Sequence, residues 1–241
     1  MHTELLVAGG VVSTVAAAAV GYTYASMWPA SQIFGQTIVA DNYPNEFALT
    51  YDDGPNDPET GLLLALLADY DVRATFFVVG QFVKQRPEIV RAIAAAGHVV
   101  GNHTMTHPKL LFCSPQKVRA EIAGCNAAIE DAIGAPVKLM RCPYGLRRPD
   151  VLRTVRELGL VPVQWNVTAF DWNPISAQKI VANVERGIAR NQRHSSGSNI
   201  LLHDGGQAGF SENRMATVEA TRMLLEKYAS KARFVTPDAW I

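Results

Sequence analysis

From residue 46 onward, short β-rich runs alternate with longer helical patterns. This alternation limits the fold more than any other feature of the chain. The runs fall at 46–51, 74–79, 98–102, 137–141, 161–167, 199–202 and 233–236. Between them, 60–70, 83–96, 115–133, 149–158, 177–190 and 212–227 read as helices. A strand that returns through a helix runs parallel to its predecessor, so the alternation predicts a parallel sheet with right-handed crossovers. The α/β pattern fits a doubly wound sheet or a barrel short of eight units. No Gly-rich fingerprint follows the first strand, which turns the reading away from dinucleotide binding. Ser114-Pro115 starts one helix and Gly134 ends it, while Gly97 and Gly159 close two others.

Residues 1–40 stand apart. No charge occurs between Glu4 and Asp41, and 5–24 is apolar and rich in Ala, Val and Gly. About 20 apolar residues can span a bilayer as a helix. The segment is expected to be a membrane anchor or export signal, which puts the rest of the chain at the cell envelope or outside it. No Lys or Arg flanks it, so charge does not set an orientation. The chain then divides into an apolar segment, 1–40, and a catalytic domain, 41–241, expected to be monomeric.

Lys+Arg and Asp+Glu are both 22, so the net charge is zero. A general nucleic-acid binder usually carries a basic excess, and none is expected as partner. The balance is uneven along the chain: every acidic residue before Arg73 lies in a stretch without Lys or Arg. Hydrophobic residues at 48% and charged residues at 18% exclude bulk disorder. Cys113, Cys125 and Cys142 lack zinc-site spacing and read as free thiols.

Reactive residue types cluster just after the predicted strands. Asp52-Asp53-Gly54-Pro55 follows the first, His103-Thr104-Met105-Thr106-His107 the third, and Arg141-Cys142-Pro143-Tyr144-Gly145 the fourth. Asp171-Trp172 follows the fifth and His203-Asp204-Gly205-Gly206 the sixth. In a β/α barrel such strand ends converge on one face. On a helical turn, His103 and His107 would share one side. With a carboxylate from the first strand they form a two-His, one-Asp metal set that leaves positions open for water. Of two adjacent aspartates, one can bind the metal while the other takes a proton. His203 can serve as general acid, with Asp171 holding its tautomer.

These motifs, in this order, resemble the NodB-homology polysaccharide deacetylases, carbohydrate esterase family 4. Thr50-Tyr51-Asp52-Asp53-Gly54-Pro55 is similar to T(F/Y)DDGP, His103 to His107 to H(S/T)xxH, and Arg141-Cys142-Pro143-Tyr144 to RxPY. Asp171-Trp172 is similar to the end of DxxDW, and Leu202-His203 to the last motif. The resemblance implies a distorted (β/α)7 barrel. It implies Asp52 as base, oriented by Arg141, and Asp53, His103 and His107 as ligands of a divalent metal, usually Zn2+ with Co2+ or Ni2+ as alternatives. Tyr144 would hold the oxyanion through its backbone and touch substrate, and His203 would be the acid with its charge set by Asp171. Trp172 and Leu202 would contact substrate. The implied reaction removes N-acetyl groups from N-acetylglucosamine residues of a chitin-like or peptidoglycan glycan. The alternatives are an O-acetyl esterase and a non-catalytic carbohydrate binder. The chain departs from the pattern at Thr168, where DxxDW begins with Asp, and at Cys142.

Overall fold

The structure, a computed structural model, describes residues 18–207, 209–210 and 212–241. Its centre is a curled parallel sheet of β1 (Glu46–Asp52), β2 (Thr75–Val78), β3 (Val99–Asn102), β4 (Leu139–Met140), β5 (Val161–Pro162), β6 (Val167–Thr168), β7 (Ser198–His203) and β8 (Arg233–Phe234). The order across it is β5-β4-β3-β2-β1-β7-β6, with β8 paired to β1. Around it lie α1 (Glu59–Asp69), α2 (Gly80–Gln85), α3 (Pro87–Ala95), α4 (Pro115–Ile133), α5 (Pro149–Glu157), α6 (Ala177–Arg193) and α7 (Met215–Tyr228).

Side-chain alternation along the strands separates two environments. On β1, Phe47, Leu49 and Tyr51 join the apolar layer beneath the helices. Thr50 and Asp52 point to the other face, where they meet Arg141. On β7, Leu202 enters the apolar layer while Leu201 and His203 line a cleft.

Two predicted elements are divided. The helix expected over 83–96 is α2 and α3, because Pro87 has no N–H and disfavours a helical residue before it. Arg86 accordingly takes φ −136° and ψ 58°. The strand expected over 161–167 is β5 and β6, which are the opposite edges of the sheet. Between them the chain crosses the open seam of the barrel. Pro162 cannot donate to a ladder. The Gln164 carbonyl instead accepts from the Arg141 and Asn199 side chains.

The seam is closed by residues that the sequence grouped with the apolar leader. Ile38 bridges Val163, and the Gln164 N–H donates to the Ile38 carbonyl at 2.7 Å. Arg147, fully buried, donates to the carbonyls of Trp28 at 2.7 Å, Ser31 at 2.9 Å and Gly145 at 2.9 Å. Residues from Ala25 to Ile38 thus pack as part of the barrel wall, across the boundary placed at residue 40. Residues 18–27 are helical, with Val20, Tyr22, Tyr24 and Met27 exposed. Most of the predicted 5–24 span lies outside the described residues. No described helix is long and apolar enough to cross a membrane.

Candidate active site

A cleft of about 490 Å³ opens at the C-terminal end of the strands, lined by Asp52, Asp53, His107, Tyr144, Trp172 and His203 among others. Asp52 ends β1. Its Oδ1 accepts from Arg141 Nη1 at 2.8 Å, and its Oδ2 lies 3.7 Å from His103 Nε2. Arg141 is wholly buried and held from several sides. It also donates to Thr50 Oγ1 at 2.8 Å, the Gln164 carbonyl at 3.1 Å and Asn199 Oδ1 at 3.3 Å, and it lies 4.3 Å from the Phe77 ring. The guanidinium therefore fixes the direction in which Asp52 presents its free oxygen.

Asp53, one residue on, adopts φ 72°, and its carboxylate lines the same cleft as that of Asp52. Its Oδ1 lies 3.3 Å from His103 Nε2 and 3.0 Å from His107 Nε2, yet it accepts no well-formed hydrogen bond and is shielded from solvent. The donor atoms of Asp53, His103 and His107 all lie within 4.8 Å of one another. His103 Nδ1 donates to the Arg141 carbonyl at 2.8 Å, which leaves Nε2 as a free lone pair in the cleft. An orphaned buried carboxylate oxygen facing two imidazole nitrogens fits a divalent cation. Burial alone would raise the Asp53 carboxyl, but the two imidazoles outweigh it and hold it well below the usual range.

The histidines are brought together differently from the sequence expectation. Residues 103–107 form an irregular loop instead of a helical turn, with positive φ at Thr104 (69°) and His107 (58°). Side chains shape it: Asn102 Oδ1 accepts from the Thr104 N–H at 2.7 Å, Glu121 from the Thr106 N–H at 2.7 Å, and Thr104 Oγ1 from the His107 N–H at 3.1 Å. The rings still end 4.9 Å apart.

Across the cleft, Asp171 holds His203 twice. Its Oδ1 faces His203 Nδ1 at 2.9 Å and its Oδ2 accepts the His203 backbone N–H at 2.7 Å. Burial would lower the imidazole, but Asp171 dominates and the pKa rises to about 9. The pairing with Asp171 favours the protonated form of His203. Trp172 packs edge-on against it at 5.4 Å, and Tyr144, at φ 59°, lies 4.8 Å from the His107 ring.

Of the residues expected to touch substrate, Tyr144 and Trp172 line the cleft, 41% and 43% exposed. Leu202 does not. It is fully buried in the layer beneath the helices, and its neighbour Leu201 reaches the cleft instead, because successive strand residues face opposite ways.

Sequence reasoning overlooked the residues that hold the reactive groups. Thr50 and Asn199 orient Arg141, and strand alternation from Asp52 and His203 was the signal for both. Thr217 donates to Asp171 Oδ2 at 2.9 Å, and Arg214 donates to the Gly205 carbonyl at 2.7 Å. No local pattern marks either. Asp204 is fully buried and accepts from Thr60 Oγ1 at 2.5 Å; burial first, then the charges of Asp53 and Asp52, push it up to about 7.

A carboxylate, a three-donor cation cradle and an Asp-held imidazole around one cleft suit acyl-bond hydrolysis. Residues 40–163 match the polysaccharide deacetylase family model. A chitooligosaccharide deacetylase of Bradyrhizobium sp. is 41% identical over 175 residues, 72% of this chain and 76% of that protein. The solved Bc1960 peptidoglycan N-acetylglucosamine deacetylase is 32% identical with a TM-score of 0.74, over 83% of this chain and 89% of that one. A family 4 acetyl xylan esterase from Clostridium thermocellum, with a cobalt ion, is 34% identical with a TM-score of 0.70, over 80% and 89%. The chain belongs to the polysaccharide deacetylase family, carbohydrate esterase family 4, and is a metal-dependent polysaccharide deacetylase.

Proposed function

We propose that the protein hydrolyses the N-acetyl group of N-acetylglucosamine residues in a chitin-like or peptidoglycan glycan, releasing acetate and a free amino sugar. The observation that carries this reading is the His203–Asp171 pair, which faces the cleft from the strand beside Asp52. An amide, unlike an ester, needs an acid at its leaving nitrogen.

Asp53, His103 and His107 would hold the divalent cation, zinc in the first instance, with cobalt or nickel as alternatives. Such a cation, when bound, polarises the acyl carbonyl and acidifies water. Asp52, aimed by Arg141, takes the proton of the attacking water. The backbone N–H of Tyr144 donates to the developing oxyanion. His203, kept charged by Asp171, gives its proton to the departing amine. Trp172 offers an aromatic face to the sugar.

The test is acetate release from N-acetylated chitooligosaccharides, peptidoglycan and acetylated xylan by the zinc-loaded protein. Acetate from either of the first two supports the reading. Acetate from xylan alone would make the protein an O-acetyl esterase, and metal binding without any turnover a carbohydrate-binding module.

We further propose that residues 5–24 export or anchor the protein, so that it acts at the cell envelope. The exposed apolar side chains on helical residues 18–27 support this. Fractionation of cells making the full chain tests it: recovery in the cytosol would overturn it.

A further inference from the structure

Beyond the catalytic cleft, the seam carries a second concavity that the proposed reaction does not use. It encloses about 340 Å³ and is lined by Trp28, Thr168, Phe170, Asn183, Arg186 and Arg190 among others. An adjoining hollow of about 320 Å³ shares Trp28, Thr168 and Arg190 with it and adds Trp165. Trp165 also lines the catalytic cleft, so one indole separates the two sites. At the rim, Phe170 contacts Trp172 at 5.4 Å, and Trp172 contacts His203 at 5.4 Å.

The chemistry of this wall is specific. Trp28 and Phe170 are 52% and 48% exposed, large aromatic faces left to solvent. Among the described residues, both guanidiniums bond only to neutral acceptors. Arg186 donates to the Ala182 carbonyl and Asn183 Oδ1, and Arg190 to the Asn166 carbonyl and Asn191 Oδ1. Among the described residues, no Asp or Glu lines either hollow. Residue 168, which lines both hollows, is Thr where the resembled pattern carries Asp. Two guanidiniums beside an indole suit a sugar that is flat on one side and anionic on the other.

We infer that this cleft is a subsite for a carboxylate-bearing sugar neighbouring the reacting N-acetylglucosamine, its ring on Trp28 and its carboxylate on Arg186 and Arg190. The inference rests on the deacetylase reading and narrows its substrate to acidic glycans. Two sources supply this chemistry: a lactyl ether, as in muramic acid, and a ring carboxylate, as in a uronic acid.

Binding separates the inference from turnover. Three tetrasaccharides of equal length are titrated into the full chain carrying Asp52→Asn, with calorimetry as readout. They are N-acetylchitotetraose, a peptide-free glucosamine–muramic acid fragment and a hyaluronan fragment. At least one acidic oligosaccharide is expected to bind about fivefold more tightly than the neutral one, the upper range for exposed ion pairs. Adding Arg186→Gln and Arg190→Gln is expected to abolish the difference, and whichever acid gains identifies the source. Equal affinity for all three, or a preference that survives both substitutions, would overturn the subsite. Arg186→Gln/Arg190→Gln in the otherwise native chain should still release acetate from chitotetraose. Absence of acetate in the native protein itself would count against the deacetylase reading and leave the binding comparison intact.

Discussion

At the scale of single residues, the two neighbouring carboxylates share His103 but differ in their second partner. Asp52 is bound to a buried guanidinium, whereas Asp53 faces two imidazoles. Replacing Asp52 with Asn should therefore leave the cation cradle intact. Metal stoichiometry by elemental analysis is expected to be unchanged while kcat falls about 10²–10⁴-fold, the usual contribution of a general base. The His203–Asp171 pair governs the alkaline side. A general acid with a pKa of about 9 loses its proton as pH rises through that value, so activity should fall there, and a bound cation moves the limb lower still. Asp171→Asn removes the group that raises His203, and the limb in kcat against pH should shift downward. The same pair contributes stability that is complete below the unfolded histidine pKa of about 6.5. That contribution is lost as pH rises toward 9. The polar side chains that gather at the cleft were legible in the sequence, because each lies in a short motif after a strand. The residues that hold them were harder to read. Gln164 acts through its backbone carbonyl, and Thr217 comes from a helix 46 residues away in sequence from the Asp171 it serves.

At the scale of elements, the helix and strand pattern was legible and its breaks were not. Composition shows that 161–167 is extended, but it does not show that the run leaves one edge of the sheet and joins the other. That depends on where the sheet stops, which is a property of all its strands. Similarly, the spacing of His103 and His107 suits a helix, while the bonds from Asn102 and Glu121 impose a loop. The loop after β4 has a comparable constraint. Gly145 takes φ 66°, and a Cβ there would lie 2.8 Å from the Trp165 ring and 3.2 Å from Gln164. Gly145→Ala should strain the backbone by roughly 1–2 kcal/mol and push this loop, with the Tyr144 N–H, away from its position. A melting temperature lower by about 2–8 °C is expected by calorimetry. A fall in kcat with metal content unchanged would place the damage at the oxyanion contact.

At the scale of the whole molecule, the barrel is completed by chain that lies outside its strand and helix alternation. The sequence drew a boundary at residue 40 because the leader is uncharged and lacks the alternating rhythm. Burial gives a different division. Ala25, Ser26 and Ser31 are almost fully enclosed, and Arg147 depends on this segment for its partners. Its backbone N–H donates to the Ser26 carbonyl at 3.1 Å, and its guanidinium donates to the carbonyls of Trp28, Pro29 and Ser31. A chain shortened to begin at residue 41 would leave that guanidinium with the Gly145 carbonyl alone. It would also open the seam where Ile38 pairs with Val163. Losing those bonds and uncovering the apolar seam both cost stability. The shortened chain is therefore expected to unfold at markedly lower denaturant than one beginning at residue 18. Arg147→Met separates the two causes. It removes the charge together with its need for partners, so in the shortened chain it should recover part of the lost stability, and in the longer chain it should cost stability. Equal midpoints for the chains beginning at 18 and 41 would show that the strap contributes nothing to the barrel. Because the Arg147 guanidinium also holds the Gly145 carbonyl, losing the strap should lower kcat along with stability.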